Sequence, residues 1–292
     1  MMRLCRSDSN EAAKRKPQVR GIRQNKELAT KQTNEDCQTL CTHSGLKSIR
    51  TQMYSNTSPS TMETYSTSLL VLNDDCLDNI FQYLTLEELI LLFGKVHPVI
   101  DDAIDRQLHR FRHFEFSMRF PPQYDANQLL ALGRHLQSIN INVGYSVRSD
   151  SVLALLQPLC VGAEEGARLR ALKIQHANIT SDYIKVISLV APLLLELDLS
   201  RCDVQEPSQL TLLLRSATKL KTLALSNRDA AGLEPSVLSR MHLLKVNWLV
   251  GTELFDVASV NQKYPFLSII VYQSNHVDVY GPPVARNIGY FH

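Results

Sequence analysis

The stretch Leu194-Leu195-Glu196-Leu197-Asp198-Leu199 reads Leu-x-x-Leu-x-Leu, and the same spacing recurs as Leu169-x-x-Leu172-x-Ile174 and Leu220-x-x-Leu223-x-Leu225. The alternation at the end of each copy is that of a short strand with one buried face. These three copies stand 25 and 26 residues apart. Weaker copies in the same register are Phe111-x-x-Phe114-x-Phe116, Leu136-x-x-Ile139-x-Ile141, Leu243-x-x-Val246-x-Trp248 and Phe266-x-x-Ile269-x-Val271, which makes seven units. Between them lie stretches with helical spacing and polar or proline starts, such as Ser181 to Val190 and Ser208 to Ala217. Strand followed by helix, repeated, predicts an α/β solenoid with a parallel inner sheet.

The period and pattern are those of leucine-rich repeats. The asparagine or cysteine expected three positions beyond the last leucine occurs once, as Cys202. The step from Leu136 to Leu169 is longer, at 33 residues, and Gly162-Ala163-Glu164-Glu165-Gly166 is expected to be a loop insertion. Residues between the core leucines should form a solvent-facing ladder on the sheet. Its central position runs Glu115, Asn140, Lys173, Asp198, Ala224, Asn247, Ile270, and the position two further on ends in Leu249 and Tyr272. Lys173 and Asp198 should sit side by side as opposite charges. Leu249, Ile270 and Tyr272 place apolar and aromatic surface where earlier units are polar, which marks them as candidate target-binding residues. The alternative is that the tail from Gln273 to His292 folds over this end as a cap. Trp248, at a leucine position, is expected in the core.

A different pattern precedes the repeats. In Leu72-Asn73-Asp74-Asp75-Cys76-Leu77-Asp78-Asn79-Ile80-Phe81-Gln82-Tyr83-Leu84, apolar residues recur at three- and four-residue steps behind Asn73, a natural N-cap followed by two carboxylates. Thr85-Leu86-Glu87-Glu88 has the form of a capping box opening a second helix, and Pro98 suits the first turn of a third. The order Leu-x-x-x-x-Leu-x-x-Ile-Phe-x-x-Leu, with an acidic-Leu start to the second helix and Val96 beyond it, resembles the F-box, a three-helix motif. Asn73 stands where that family usually has proline, His97 where it often has cysteine, and Ile100 where it often has an aromatic residue.

The resemblance to F-box proteins with leucine-rich repeats covers residues 69 to about 276. It implies a substrate-recognition subunit of an SCF-type, cullin-based ubiquitin ligase, with no catalytic residues of its own. On that reading Leu72, Leu77, Ile80, Phe81, Leu84, Leu89 and Val96 dock on a Skp-type adaptor, and the repeats hold an unknown target protein. The alternative is a leucine-rich-repeat scaffold or inhibitor with no ubiquitin-ligase role. The ladder offers isolated cations such as Lys173 and no arginine cluster to hold a phosphate, which favours an unmodified target surface.

Residues 1–68, with Lys14-Arg15-Lys16 and few large apolar groups, have the composition of a disordered basic tail. The expected organisation is therefore this tail, a helical module over 69–110, repeats over 111–276, and a tail or cap over 277–292. The net charge is +2 with the basic excess in the tail, so the folded part should be slightly acidic and unsuited to nucleic acid. No apolar run is long enough for a membrane span, no secretory leader is evident, and the six cysteines are scattered, all pointing to the cytoplasm or nucleus. Cys37, Cys41 and His43, and separately His109 with His113, have ligand types without a complement, so neither a metal nor a cofactor is expected. There is no nucleophile elbow and no phosphate-binding glycine loop.

Overall fold

The computed structural model describes residues 69–248, 255–273 and 276–282, all within a unit spanning Thr64–His292. The basic tail read over 1–68 lies outside the described residues. Three helices come first: α1 (Asp74–Phe81), α2 (Leu86–Leu92) and α3 (Pro98–Leu108). Strand and helix then alternate through β1 (His113–Ser117), α4 (Ala126–Gly133), β2 (Ser138–Asn142), α5 (Ser149–Gly166), β3 (Ala171–Ile179), α6 (Ser181–Val190) and β4 (Glu196–Val204). The chain continues through α7 (Pro207–Ser216), β5 (Thr222–Ser226), the short α8 (Asn227–Ala230) and α9 (Pro235–Leu238), β6 (Leu243–Asn247), α10 (Val257–Lys263), β7 (Ser268–Gln273) and β8 (His276–Tyr280).

The eight strands form one sheet in sequence order, β1 to β7 parallel and β8 antiparallel to β7. This is an α/β architecture. Phe114, Ile139, Leu172, Leu197, Leu223, Leu244 and Ile269 stand in register, and all are buried in a core shared with the helices. From β2 to β6 the start of each strand is tied to the one before by a carbonyl that accepts two amides. Arg112 O takes Gln137 N and Ser138 N at 2.7 and 3.0 Å, and Gln137 O takes Arg170 N and Ala171 N at 2.8 and 3.1 Å. Arg170, Leu195 and Lys221 repeat the arrangement.

Several expectations are corrected by this register. Leu223 pairs with Leu244, so the sixth unit is Met241-x-x-Leu244-x-Val246, two residues earlier than Leu243-x-x-Val246-x-Trp248. Met241 is fully buried, and Trp248 packs only partly against the core. In the seventh unit Leu267 is buried and Phe266 is exposed. Gly162 to Gly166, expected as a loop, is the last turn of the 18-residue α5. The glycines are there because α5 crosses α4 at backbone distance: a Cβ at Gly162 would lie 2.0 Å from Leu130 O, and one at Gly166 2.0 Å from Arg134 O. The long unit is thus taken up by a longer helix. At the carboxyl end, His276–Tyr280 joins the sheet as its last strand, where a tail or cap was expected from residue 277. No helix among the described residues is long and apolar enough to cross a membrane.

Candidate functional site

Two surfaces are candidates, the outer side of the first three helices and the open face of the sheet. In the helical module the local rules act as the sequence suggests. Asn73 Oδ1 accepts from Cys76 N at 2.9 Å, and Thr85 and Glu88 satisfy each other's amides in a capping box. Accepting those bonds at the helix start holds the Glu88 carboxyl below its ordinary pKa. Gly94 takes a left-handed conformation, φ 75°, between α2 and α3, and its N–H donates to Asp101 Oδ1 at 2.7 Å. His97 caps α3 by accepting Val99 N on its ring at 3.2 Å, with Pro98 in the first turn.

Tertiary bonds then fix which faces are inside. Arg106 on α3 reaches Asp78 at 3.2 Å and Asp74 at 3.2 Å on α1, and Arg110 donates to the Phe81 carbonyl. The buried amide of Gln128, on α4, donates to Ile90 O at 2.6 Å and Phe93 O at 3.3 Å, fastening α2 and the turn after it to α4.

This packing divides the seven residues read as adaptor-binding. Leu77, Phe81 and Leu89 are buried and hold α1, α2 and α3 together, so their assignment as contact residues is corrected. Leu84 is partly buried against the same core. Leu72, Ile80 and Val96 are exposed, Ile80 by 41% and Val96 by 58%. The module also leaves Leu69, Leu70, Val71, Tyr83, Leu91 and Val99 in water, Tyr83 by 82%. A helical period gives the spacing of such residues but not how wide a stripe the neighbouring helices cover.

On the open sheet face the central ladder position reads Glu115, Asn140, Lys173, Asp198, Ala224, Lys245, Ile270. Lys173 and Asp198 form the expected pair at 3.9 Å. Lys245 reaches across β5 to Glu196 on β4 at 3.1 Å, and Asn247 Nδ2 does the same to Ser200 O at 3.0 Å. The short side chain of Ala224 on the intervening strand leaves room for Lys245, and Ala224 is itself buried.

The three candidate target-binding residues fare differently. Leu249 lies outside the described residues, and the ladder position assigned to it belongs to Asn247, the register partner of Tyr272. Ile270 is 2% exposed, flanked in register by Lys245 and by Val279 of β8, so it is a packing residue and not an open contact. Tyr272 is half-buried beside Val277. The exposed apolar residues at this end are Val277, Val279 and Tyr280, which the sequence reading placed in a tail.

Of the three described cysteines, Cys76 is exposed and Cys160 and Cys202 are buried. Burial pushes the thiols of Cys160 and Cys202 up to about 12, and Cys202 Sγ sits 3.1 Å from Ile174 O. Among the described residues no group of three His, Cys, Asp or Glu side chains converges as a metal site. No protein-family model matches the chain, and no curated protein sequence matches it.

Proposed function

We propose that residues 69–110 form an F-box-like module, that residues 111–276 form a leucine-rich-repeat solenoid, and that the chain is the substrate receptor of a cullin-based ubiquitin ligase. The module docks on a Skp-type adaptor, and the open sheet face and its carboxyl-terminal end hold a target protein. Catalysis is by proximity: the receptor raises the local concentration of target lysines near a ubiquitin carrier held elsewhere in the assembly.

The observation that carries this reading is the exposed apolar set on the module. Ile80, Leu91 and Val99 on the helices, and Leu72, Tyr83 and Val96 in the turns that flank them, stand in water while the inner residues of the module are already packed. Each large apolar side chain left exposed forgoes about 1.5–3 kcal/mol, a pattern that marks a surface covered by a partner. The partner-facing residues on this proposal are therefore Leu72, Ile80 and Val96, supported from behind by Leu77, Phe81 and Leu89.

A pull-down of the intact chain with purified Skp-type adaptor tests it, alongside an Ile80→Asp, Val96→Asp variant checked by circular dichroism. Binding by the parent and its loss in the still-folded variant is the expected result. Absence of binding by the parent would overturn the receptor reading and leave a repeat scaffold or inhibitor in its place.

A further inference from the structure

Stacking the rungs brings together a cluster that is invisible along the chain. Each turn from helix to strand places a side chain just ahead of the strand, and the bonded row Arg112, Gln137, Arg170 runs along this rim. With His109, His135 and Arg168 these residues line a depression of about 330 Å³ where α3, α4 and α5 end and β1, β2 and β3 begin.

The nearby acids pair with histidine and arginine at its edge and leave Arg112 and Arg168 uncompensated. Asp105 is held by His135 at 3.0 Å, and Glu165 by Arg134 at 2.8 Å. Part of the positive charge has a structural use: Arg170 Nη1 donates to the Ala167 and Leu169 carbonyls, as suits a cation at the end of α5. Arg112 and Arg168 do not share that use. Both are exposed, and among the described residues neither side chain has a hydrogen-bond or ion-pair partner. His135 lines the depression with its Nε2 committed to Asp105 and its buried Nδ1 without a partner.

We propose that this depression binds a phosphoryl group carried on a polypeptide partner. Guanidinium groups offer paired N–H donors matched to phosphate oxygens, and Arg112 and Arg170 start two rungs apart, about 10 Å at the usual strand spacing, close enough to close on one oxyanion. The rim continues past Arg170 with Leu195 and Lys221, the first 41% exposed. An extended segment anchored by its phosphate in the depression would lay its next residues along an apolar and a basic position. That continuation favours a phosphopeptide over a free phosphate ion. The inference does not rest on the adaptor reading, because the depression lies at the helix-to-strand turns and uses none of the exposed residues of the first two helices.

The test is retention of the intact chain on beads bearing peptides with a central phosphoserine between randomised positions, against beads bearing the same peptides with serine. The parent is expected on the phosphoserine beads only. Arg112→Ala with Arg168→Ala, which removes no bond made by a folded-state partner, should reduce retention at least tenfold with an unchanged circular dichroism spectrum. Arg119→Ala with Lys95→Ala removes equal charge elsewhere and should retain it, as should Ile80→Asp with Val96→Asp. Equal retention on serine beads, or no change in the Arg112, Arg168 variant, would overturn the proposal. So would an equal loss in the Arg119, Lys95 variant, which would reduce the effect to overall charge. Elution by inorganic phosphate at the concentration of competing phosphopeptide would reassign the site to a free anion. Binding to phosphatidylserine vesicles without binding to the beads would reassign it to a membrane surface.

Discussion

Substituting alanine for Gly162 should destabilise the protein although alanine is the better helix former. A methyl carbon there would stand 2.0 Å from the Leu130 carbonyl oxygen, 2.9 Å from its carbon and 3.2 Å from the Arg134 amide nitrogen. Carbon-to-oxygen contacts settle at about 3.3 Å, so α4 and α5 must part by roughly 1 Å. The obstructing atoms are backbone, and no rotamer change relieves them. Parting the helices loosens a seam that buries Leu129, Leu132, Leu156 and Leu159. Overpacking of this kind costs about 1–3 kcal/mol and more where backbone blocks backbone, while the helix preference of alanine returns about 1. Because backbone blocks backbone, the upper end of that range applies, and the net expectation is a loss of about 2 kcal/mol or more, equivalent to a fall in Tm of at least roughly 4–8 °C for a unit of this size. Urea unfolding of the intact chain followed by circular dichroism measures it, the midpoint dropping at unchanged slope. Gly232→Ala is the control: its nearest neighbour would be Asp229 O at 3.7 Å, and the change should stay within about 0.5 kcal/mol. A Gly162→Ala protein as stable as its parent would refute the close crossing of α4 and α5.

The hydrogen bond from His135 holds the Asp105 carboxyl below its ordinary value, against partial burial that acts the other way. A carboxyl depressed in the folded state contributes stability above its ordinary pKa of about 3.9 and loses it as pH falls through the lowered value. Asp105→Asn should therefore lower Tm at pH 6, with the gap to the parent narrowing as pH falls below about 3.9, and a gap of constant size on acidification would show that ionisation of Asp105 plays no part. Thiol reactivity offers another check. Native protein treated with iodoacetamide near pH 8 should be alkylated at the exposed Cys76 well before the buried Cys160 and Cys202, as read by peptide mass spectrometry. Early labelling of Cys202 would contradict the packing around β4.

What the sequence could reveal follows the range of the interactions involved. Caps act within one turn, so Asn73, the Thr85–Glu88 box and Pro98 were legible as helix starts, and Ser181–Val190 forms a helix over the stretch its spacing suggested. The sixth rung was misplaced by two residues because such a slip leaves every side chain on its own face. Leu243, Val246 and Trp248 satisfy the pattern as well as Met241, Leu244 and Val246 do, and only pairing with β5 separates them. That slip hid Lys245 from the ladder and put Leu249 in it. Gly162 and Gly166 read as loop residues because their reason, the approach of α4, lies about thirty positions away in the chain. The arginines of the rim were missed on the same account, since Arg112 and Arg170 become neighbours only through the register of β1, β2 and β3.

The successive core positions Phe114, Ile139, Leu172, Leu197, Leu223, Leu244 and Ile269 are unevenly spaced along the chain, yet each is one strand from the next. The extra length between Ile139 and Leu172 is absorbed by α5, and the shorter span between Leu223 and Leu244 by the brief α8 and α9. The open face is thus a ruler whose graduations are set by the hydrogen-bond spacing of the sheet, about 4.8 Å, whatever is inserted behind it. Residues can be gained or lost on the helical side without changing the distance between two side chains on the open face.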